Sequence, residues 1–230
     1  METVDGGTWA LLKRLMADKH LDAFNLVGGT ALSLQLGHRK SVDLDLFRTT
    51  EFDSGQIAGH LKQHYKAEIV RQNRNGVFGH IEKVKFDMLT DPTPLIDKLQ
   101  IVEGIRMLSI RDIGAMKMNA IYDDGGRLKD FADMYALLEK HPFNTYLDYA
   151  LQKFPEINPA MLRKSLLYHA DVDLKSKVEY IGKAVEWTAI TDRLKEAYYN
   201  PEKVFSPAGE LKPVQQIRRL PRQRRGQRPG

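Results

Sequence analysis

The chain of 230 residues contains no cysteine. Disulfide bonds, thiolate zinc sites and cysteine nucleophiles are therefore excluded. Long apolar runs are also lacking, because no stretch approaches the length of a membrane span. The N-terminus has neither a long apolar run nor a basic flank. From these absences we expect a cytoplasmic protein that makes no contact with a membrane.

What the chain does contain is ordinary for a folded protein, with 42% hydrophobic and 28% charged residues. A chain of this length can bury a substantial core, and we expect one compact unit with two lobes.

The net charge of +5 belongs to the C-terminal end. After Glu210 there is no acidic residue, but there are Lys212 and six arginines, so 5 − 7 leaves residues 1–210 at −2. Residues 206–230 are predicted to form a basic, disordered tail. Such a tail lies along RNA phosphates or is a solvated terminus or an appended extension, and the sequence leaves these alternatives open.

A short alternating segment carries two carboxylates. Val42, Leu44 and Leu46 alternate with Asp43 and Asp45, so a strand would place both carboxylates on one face. Side chains two residues apart lie roughly 6.6 Å apart along a strand, so these two can converge on a divalent cation. A solvent-exposed strand without any metal produces the same pattern.

Two glycines precede this segment. Residues 24–27 are predicted as a strand, Gly28, Gly29 and Thr30 as a tight turn, and residues 31–36 as a helix closed by Gly37. Glycines between a strand and a helix N-terminus let phosphate oxygens approach backbone N–H groups and the positive end of the helix dipole.

The string G-G-T-A-L, followed by R-K-S-V-D-L-D-L-F, resembles the nucleotidyltransferase superfamily related to DNA polymerase β. Within it, the string resembles the AbiEii/AbiGii group, the toxins of type IV abortive-infection toxin–antitoxin pairs. The resemblance implies a magnesium-dependent transfer of a nucleoside monophosphate from a nucleoside triphosphate to an acceptor. It points to RNA, particularly tRNA 3′ ends, as that acceptor, and to a cognate antitoxin as a partner.

Downstream motifs extend the resemblance over residues 24–138. In V-K-F-D-M, Lys85 and Asp87 share one strand face, and the likeness makes Asp87 the third metal-binding carboxylate. Lys117 lies inside the apolar stripe of a helix that begins after Ser109, where it either snorkels past the core or reaches a buried anion. By the likeness, Lys117 meets the nucleotide phosphates.

The last motif, R-x-K-D-x-x-D, begins at Arg127. The likeness implies that Asp130 assists catalysis or orients Lys117, and that Lys129 or Arg127 holds phosphate. Early-turn carboxylates that only complement a helix dipole would give the same pattern. Arg39 matches a basic position of the family motif and contacts phosphate or is solvated.

The resemblance thus implies one or two magnesium ions and two sets of site residues. The ions would be held by Asp43, Asp45 and Asp87. The catalytic set is Asp43, Asp45, Asp87, Lys117 and Asp130. The nucleotide-binding set is Gly28, Gly29, Thr30, Arg39, Lys117 and Lys129.

The expected fold is α/β (α+β). A polymerase-β-like nucleotidyltransferase core with a mixed sheet spans residues 1–107, and an all-helical C-terminal lobe spans residues 108–205. His60 and His64 are four apart on one predicted helix face, but no third ligand is evident nearby, so we interpret them as solvated. Helices are also predicted over residues 179–187 and 189–199.

Two other functions remain open. The acceptor could be a small molecule or a protein hydroxyl. The chain could also be a nucleotide- or RNA-binding module without turnover, although it retains all three candidate carboxylates.

Overall fold

The computed structural model describes residues 3–207 of the chain. Within that range the chain forms one seven-stranded sheet, eight α-helices and a short 3₁₀ helix over Lys19–Leu21. The strands are β1 (Asn25–Leu26), β2 (Leu44–Arg48), β3 (Glu68–Asn73), β4 (Gly76–Ile81), β5 (Val84–Thr90), β6 (Gln100–Val102) and β7 (Ile105–Met107). The helices are α1 (Gly6–Ala17), α2 (Gly28–Leu36), α3 (Ser54–Tyr65), α4 (Ile110–Asp123), α5 (Leu128–Leu137), α6 (Phe143–Lys153), α7 (Pro159–Ser165) and α8 (Trp187–Tyr199).

The strand order is β3-β4-β5-β2-β1-β7-β6. The pairs β2–β5 and β1–β7 are parallel, and the other neighbouring pairs are antiparallel. The predicted mixed sheet is therefore confirmed. The central strands β1, β2 and β5 bury Leu26, Leu44, Leu46, Phe86 and Met88.

All elements after β7 are helical, as the sequence predicted for the C-terminal part. Helices α4 and α6 pack closely, because a Cβ atom added to Gly114 would lie 2.3 Å from the ring of Tyr146. Lys153 of α6 is buried and donates to the carbonyl of Pro94 (3.0 Å), which joins the helices to the segment before β6. The division into units 1–107 and 108–205 stays a prediction.

Several element boundaries differ from the prediction. Helix α1 begins at Gly6, since the Asp5 carboxylate accepts hydrogen bonds from the N–H groups of Gly7 (2.9 Å) and Thr8 (3.0 Å). The glycine turn is the first turn of α2, with Gly28 at φ +67°. Strand β2 starts only at Leu44, which leaves Val42 53% exposed and off the expected apolar face.

The connection between β4 and β5 is a tight reversal. Glu82 and Lys83 have φ values of +53° and +71°, and Ile81 pairs with Val84 across the turn. The alternation of apolar and polar residues over 77–89 predicts a strand that continues, or bulges at Lys83, into residues 84–89. It reverses instead, because β5 pairs antiparallel with β4 and parallel with β2.

The helix predicted over residues 179–187 is wrong. Glu179 and Ile181 form backbone hydrogen bonds with Lys40 and His38, respectively, and the chain then bends at residues 181–183, where Gly182 has a φ of +80°. These long-range bonds satisfy backbone groups that a helix would pair locally. The basic tail lies outside the described residues, apart from its first two positions. No helix among residues 3–207 is long and apolar enough to cross a membrane.

Candidate active site

The parallel pairing of β2 and β5 brings two of the candidate carboxylates side by side. Asp45 and Asp87 are direct partners in this register. Neighbouring strands lie about 4.7–4.9 Å apart, and paired residues point to the same face. Asp45 and Asp87 therefore share one face of the sheet, and both are half-buried there.

Asp43 precedes β2 and is held through its backbone. The hydroxyl of Thr30, buried in the first turn of α2, donates to the carbonyl of Asp43 at 2.5 Å and lies 2.9 Å from the Ser41 hydroxyl oxygen. Thr30 thus fixes the chain that carries Asp43 relative to the start of α2. Its hydroxyl is already engaged, so any contact of Thr30 with phosphate would use its backbone N–H.

The two glycines at the start of α2 lie directly against charged side chains. The N–H of Val27 donates to the carbonyl of Asp45 (2.9 Å), which places Gly28 beside the Asp45 carboxylate. A Cβ atom on Gly28 would lie 2.4 Å from Asp45 Oδ2, and one on Gly29 would lie 2.4 Å from an Arg39 guanidinium nitrogen. Only glycine allows this close approach of the helix N-terminus to the carboxylates.

The acidic face has a deficit of positive charge. Burial, followed by the negative charge of Asp87, raises the pKa of Asp45 to about 6, and Asp43 acts in the same direction. Lys117 and Lys85 lower this pKa but do not offset the increase. Lys85 Nζ lies 3.3 Å from one Asp87 oxygen, while the buried Oδ1 of Asp87 has no hydrogen-bond partner among residues 3–207.

This donor set fits a hard divalent cation. Three carboxylates supply oxygen ligands, which magnesium prefers, and the unpaired oxygen of Asp87 has free coordination capacity. At least two ligand oxygens of Asp43, Asp45 and Asp87 lie more than 4.8 Å apart, so the three carboxylates do not converge closely. Repulsion between like charges favours this more open arrangement.

Lys117 of α4 reaches buried anions, one of the two alternatives that the sequence left open. Its Nζ lies 2.6 Å from Asp130 Oδ1 and 2.7 Å from Asp133 Oδ2, and all three side chains are buried. Burial alone would lower the pKa of Lys117, but Asp133 and Asp130 raise it above its usual value. The ammonium group is therefore charged and held in place.

Arg39 is buried rather than solvated. Its guanidinium donates two hydrogen bonds to Asp133, at 2.6 and 2.9 Å, and a third to the carbonyl of Lys40. His38 also contacts Asp133, at 2.8 Å. Burial raises the pKa of Asp133, but Lys117 and Arg39 outweigh it and hold that pKa well below its usual value.

Asp133 is the residue of this network that sequence reasoning missed. In the sequence, Asp133 appears only as the last residue of the R-x-K-D-x-x-D motif, three positions after Asp130. An acidic residue between the buried Ala132 and Met134 was the available signal, because a buried carboxylate requires a cationic partner. In the structure, Asp133 has two cationic partners, Arg39 and Lys117, which lie in separate parts of the chain.

The remaining predicted residues lie at the edge of this network. Arg127 Nε is 3.5 Å from Asp130 Oδ2, and most of the Arg127 side chain is exposed. Lys129 is exposed one position before Asp130. Their assignment to phosphate binding stays a prediction.

A cavity of about 280 Å³ opens beside Asp43. It lies between the start of α1 and the tight turn that joins β4 and β5. Lys83 and Lys85 contribute positive charge to its walls, and Asp5 and Glu82 contribute negative charge. The cavity is therefore a polar space next to the candidate catalytic carboxylates.

Comparisons with known proteins bear on the family and the fold of the chain. Residues 10–199 match the family model described as "Nucleotidyl transferase AbiEii toxin, Type IV TA system". An uncharacterized protein of Aquifex aeolicus (strain VF5) is 31% identical over 154 residues, which cover 64% of this chain and 74% of that protein.

Two solved structures from Helicobacter pylori share the fold. One, assigned as a nucleotidyltransferase, has a TM-score of 0.54 at 19% identity and covers 85% of this chain and 92% of its own. The other, JHP933, has a TM-score of 0.53 at 19% identity and covers 86% and 93%, respectively.

Proposed function

The chain belongs to the AbiEii family of nucleotidyl transferase toxins of type IV toxin–antitoxin systems, and from this premise we propose its acceptor and metal. It is a nucleotidyltransferase. We propose that it transfers a nucleoside monophosphate from a nucleoside triphosphate to RNA, at the 3′ end of tRNA, in the cytoplasm. A cognate antitoxin would restrain this activity.

The observation that carries the proposal is the pairing of Asp45 with Asp87 beside the N-terminus of α2. A negatively charged triphosphate needs N–H donors and positive charge, and the acidic face needs a cation. The first turn of α2 would supply the N–H groups, and a Cβ atom on its Gly28 would lie 2.4 Å from the Asp45 carboxylate. Donors for the triphosphate and a binding site for the cation would therefore lie next to each other, as phosphoryl transfer requires.

The donor would bind across the start of α2. Backbone N–H groups of Gly28, Gly29 and Thr30 would contact its phosphate oxygens, aided by the helix dipole. The Arg39 guanidinium packs against Gly29 and donates its hydrogen bonds to Asp133 and to the carbonyl of Lys40. We therefore propose that Arg39 supports the glycine turn. A direct contact of Arg39 with phosphate stays a prediction.

The chemistry is an in-line displacement at the α-phosphate, with pyrophosphate as the leaving group. Magnesium held by Asp43, Asp45 and Asp87 would neutralise charge on the attacking and leaving oxygens. Asp87 would also accept the proton of the acceptor hydroxyl, through the carboxylate oxygen that does not hold the metal. Lys117, fixed by Asp130, would place a permanent positive charge near the phosphates.

Support for RNA comes from the family and from the C-terminal sequence. The cavity beside Asp43 has Lys83 and Lys85 but also Asp5, Asp43 and Glu82 on its walls, so only its two lysines would contact the phosphates of an acceptor strand. The Arg-rich C-terminal sequence would add sequence-independent attraction to RNA. A small-molecule or protein hydroxyl is the alternative acceptor, and binding without turnover is the alternative function.

The test is incubation of the full chain with total RNA, magnesium and each α-labelled nucleoside triphosphate in turn. We expect label in the tRNA band with at least one triphosphate, and no label after magnesium is chelated. Asp45→Asn should abolish labelling, while Asp148→Asn, a substitution on the exposed face of α6, should preserve it.

Different results identify the alternatives. Labelling of protein or of a small molecule, but not of RNA, would contradict the RNA acceptor and retain the enzyme. Equal labelling by wild type and Asp45→Asn would contradict the assigned site. Nucleotide binding without any pyrophosphate release would favour a module without turnover.

A further inference from the structure

A second group of ligand-type side chains lies on α3 and on the turn after α1. Asp18 caps the short 3₁₀ helix over Lys19–Leu21, and His20 lies within that helix. His60 lies on α3. One ligand atom from each lies within 4.8 Å of the other two. The sequence offered only His60 and His64, interpreted as solvated. His60 is instead largely buried and converges with Asp18 and His20, and His64 is not part of this cluster.

Contacts from α3 and from its last residue, Tyr65, hold the Asp18 carboxylate in place. The Tyr65 hydroxyl donates to Asp18 Oδ2 at 2.8 Å, and His60 Nε2 lies 2.6 Å from the same oxygen. The Asp18 carboxylate is therefore oriented by a neighbouring hydroxyl, as metal-ligating carboxylates are.

The front of the cluster is open to solvent. The His20 side chain is 73% exposed, while those of His60 and Asp18 are each 13% exposed. The rings of His20 and His60 are stacked with centroids 4.5 Å apart. Asp18 also brings His20 to the cluster, since the backbone N–H of His20 donates to Asp18 Oδ1 at 2.9 Å and His20 Nδ1 lies 3.4 Å from the same oxygen.

We propose that Asp18, His20 and His60 form a binding site for zinc or a similar divalent transition metal, with water as the fourth ligand. Two imidazoles and one carboxylate suit such metals, whereas magnesium prefers an all-oxygen set. The metal would replace the His60–Asp18 hydrogen bond and join the turn after α1 to α3. It would thus link two elements that are separated by some forty residues in the chain.

This site is separate from the candidate active site. Helix α1 has 12 residues and spans roughly 18 Å at 1.5 Å per residue. Asp5 at its start lines the cavity next to Asp43, whereas Asp18 lies at its other end. The zinc proposal does not depend on the proposed function, and its failure would leave that function untouched.

The experiment is calorimetric titration of the untagged full chain with Zn²⁺ in the presence of excess Mg²⁺. We expect one Zn²⁺ per chain and a rise of the thermal midpoint by ~3 °C or more at saturating metal. His20→Gln, His60→Gln and Asp18→Asn should each weaken the affinity by about tenfold or more, as loss of a ligand or its support does.

His64→Gln and His141→Gln are the matched controls. The His64 ring lies 4.5 Å from the His60 ring, as the His20 ring does, but His64 is not among the residues whose ligand atoms converge. Its replacement should therefore leave the affinity unchanged, as should that of His141. His20→Gln alters a largely exposed side chain and remains informative even where Asp18→Asn fails to fold.

Three outcomes would overturn the proposal. The first is the absence of saturable Zn²⁺ binding. The second is an unchanged affinity in His20→Gln. The third is equal weakening by His60→Gln and His64→Gln with no effect of His20→Gln, which would identify an ordinary surface histidine pair.

Discussion

Asp45 and Asp87 are direct partners on two adjacent parallel strands, so two carboxylates face one another on the same side of the sheet. Directly opposed like charges destabilise a sheet, and Asp43 adds a third negative charge nearby. An arrangement that costs stability in this way is typical of a functional site. The first prediction uses this conflict between stability and activity.

Asp87→Asn should raise stability and remove activity. Loss of one of the opposed charges should increase the free energy of unfolding by up to about 1 kcal/mol, because the repulsion with Asp45 is relieved. Nucleotidyl transfer should fall at least about a hundredfold, because a metal ligand and proton acceptor is lost. Urea unfolding and a labelled-nucleotide assay measure the two effects. A variant that is both less stable and fully active would contradict the assignment.

Gly28→Ala should abolish transfer, whereas Gly37→Ala should not. Both glycines have left-handed φ values, +67° and +69°, so an alanine at either position costs roughly 1–2 kcal/mol of stability. Only the Cβ at position 28 would meet the Asp45 carboxylate, whereas a Cβ at position 37 has no neighbour within 4 Å among the described residues. Comparable thermal midpoints with unequal activities are the expected result. Equal activities would show that the close approach of Gly28 is unimportant.

Asp133→Asn should be strongly destabilising. It removes the shared partner of Arg39 and Lys117 and leaves two cations buried with insufficient negative charge. Breaking a buried ion pair in this way costs about 3–5 kcal/mol. Equilibrium unfolding in urea measures the loss, with Asp148→Asn as the exposed control. A decrease below ~1 kcal/mol would mean that Asp133 does not organise the network.

Lys83→Gly should increase stability and decrease the use of RNA. The φ of Lys83 is +71°, and relief of about 1–2 kcal/mol of left-handed strain exceeds the entropic cost of about 0.5–1 kcal/mol for glycine. Lys83 also lines the cavity beside Asp43, so loss of its charge should raise KM for RNA more than it lowers kcat. An unchanged KM for RNA would separate this cavity from acceptor binding.

His169 should contribute stability that is lost as the pH falls through the histidine range. Burial lowers the pKa of His169, although its hydrogen bond to the Leu166 carbonyl acts in the opposite direction. The unfolded chain takes up this proton near pH 6.5, before the folded chain does, so the His169 contribution to the free energy of unfolding is present above that pH and declines below it. Asp45, with its pKa raised to about 6, acts in the opposite direction in this range, so the comparison is made between wild type and variant. His169→Gln should flatten this dependence between pH 7 and 5. His141 shifts in the same direction, so the flattening should be partial. An identical slope in the variant would contradict the assignment.

Local signals predicted most of the elements correctly. The Asn75–Gly76 pair predicts a hairpin between residues 67–72 and 77–82, and Ser109 predicts a helix cap. These signals and the period-two pattern of β5 depend on neighbours within a few residues, and the structure confirms them. Helix 179–187 was wrong because its backbone groups pair with residues 38–40, some 140 positions earlier. No local pattern carries that information.

By itself, the sequence determined which residues are available for chemistry: two glycines before a helix, alternating carboxylates on strands and a lysine within an apolar stripe. Their roles in the network were decided only by the tertiary structure. It buried Arg39 against Asp133, fixed Lys117 between two carboxylates and brought His20 to His60. The physical reason is that a buried charge must find its partner, and these partners lie on elements far apart in the chain.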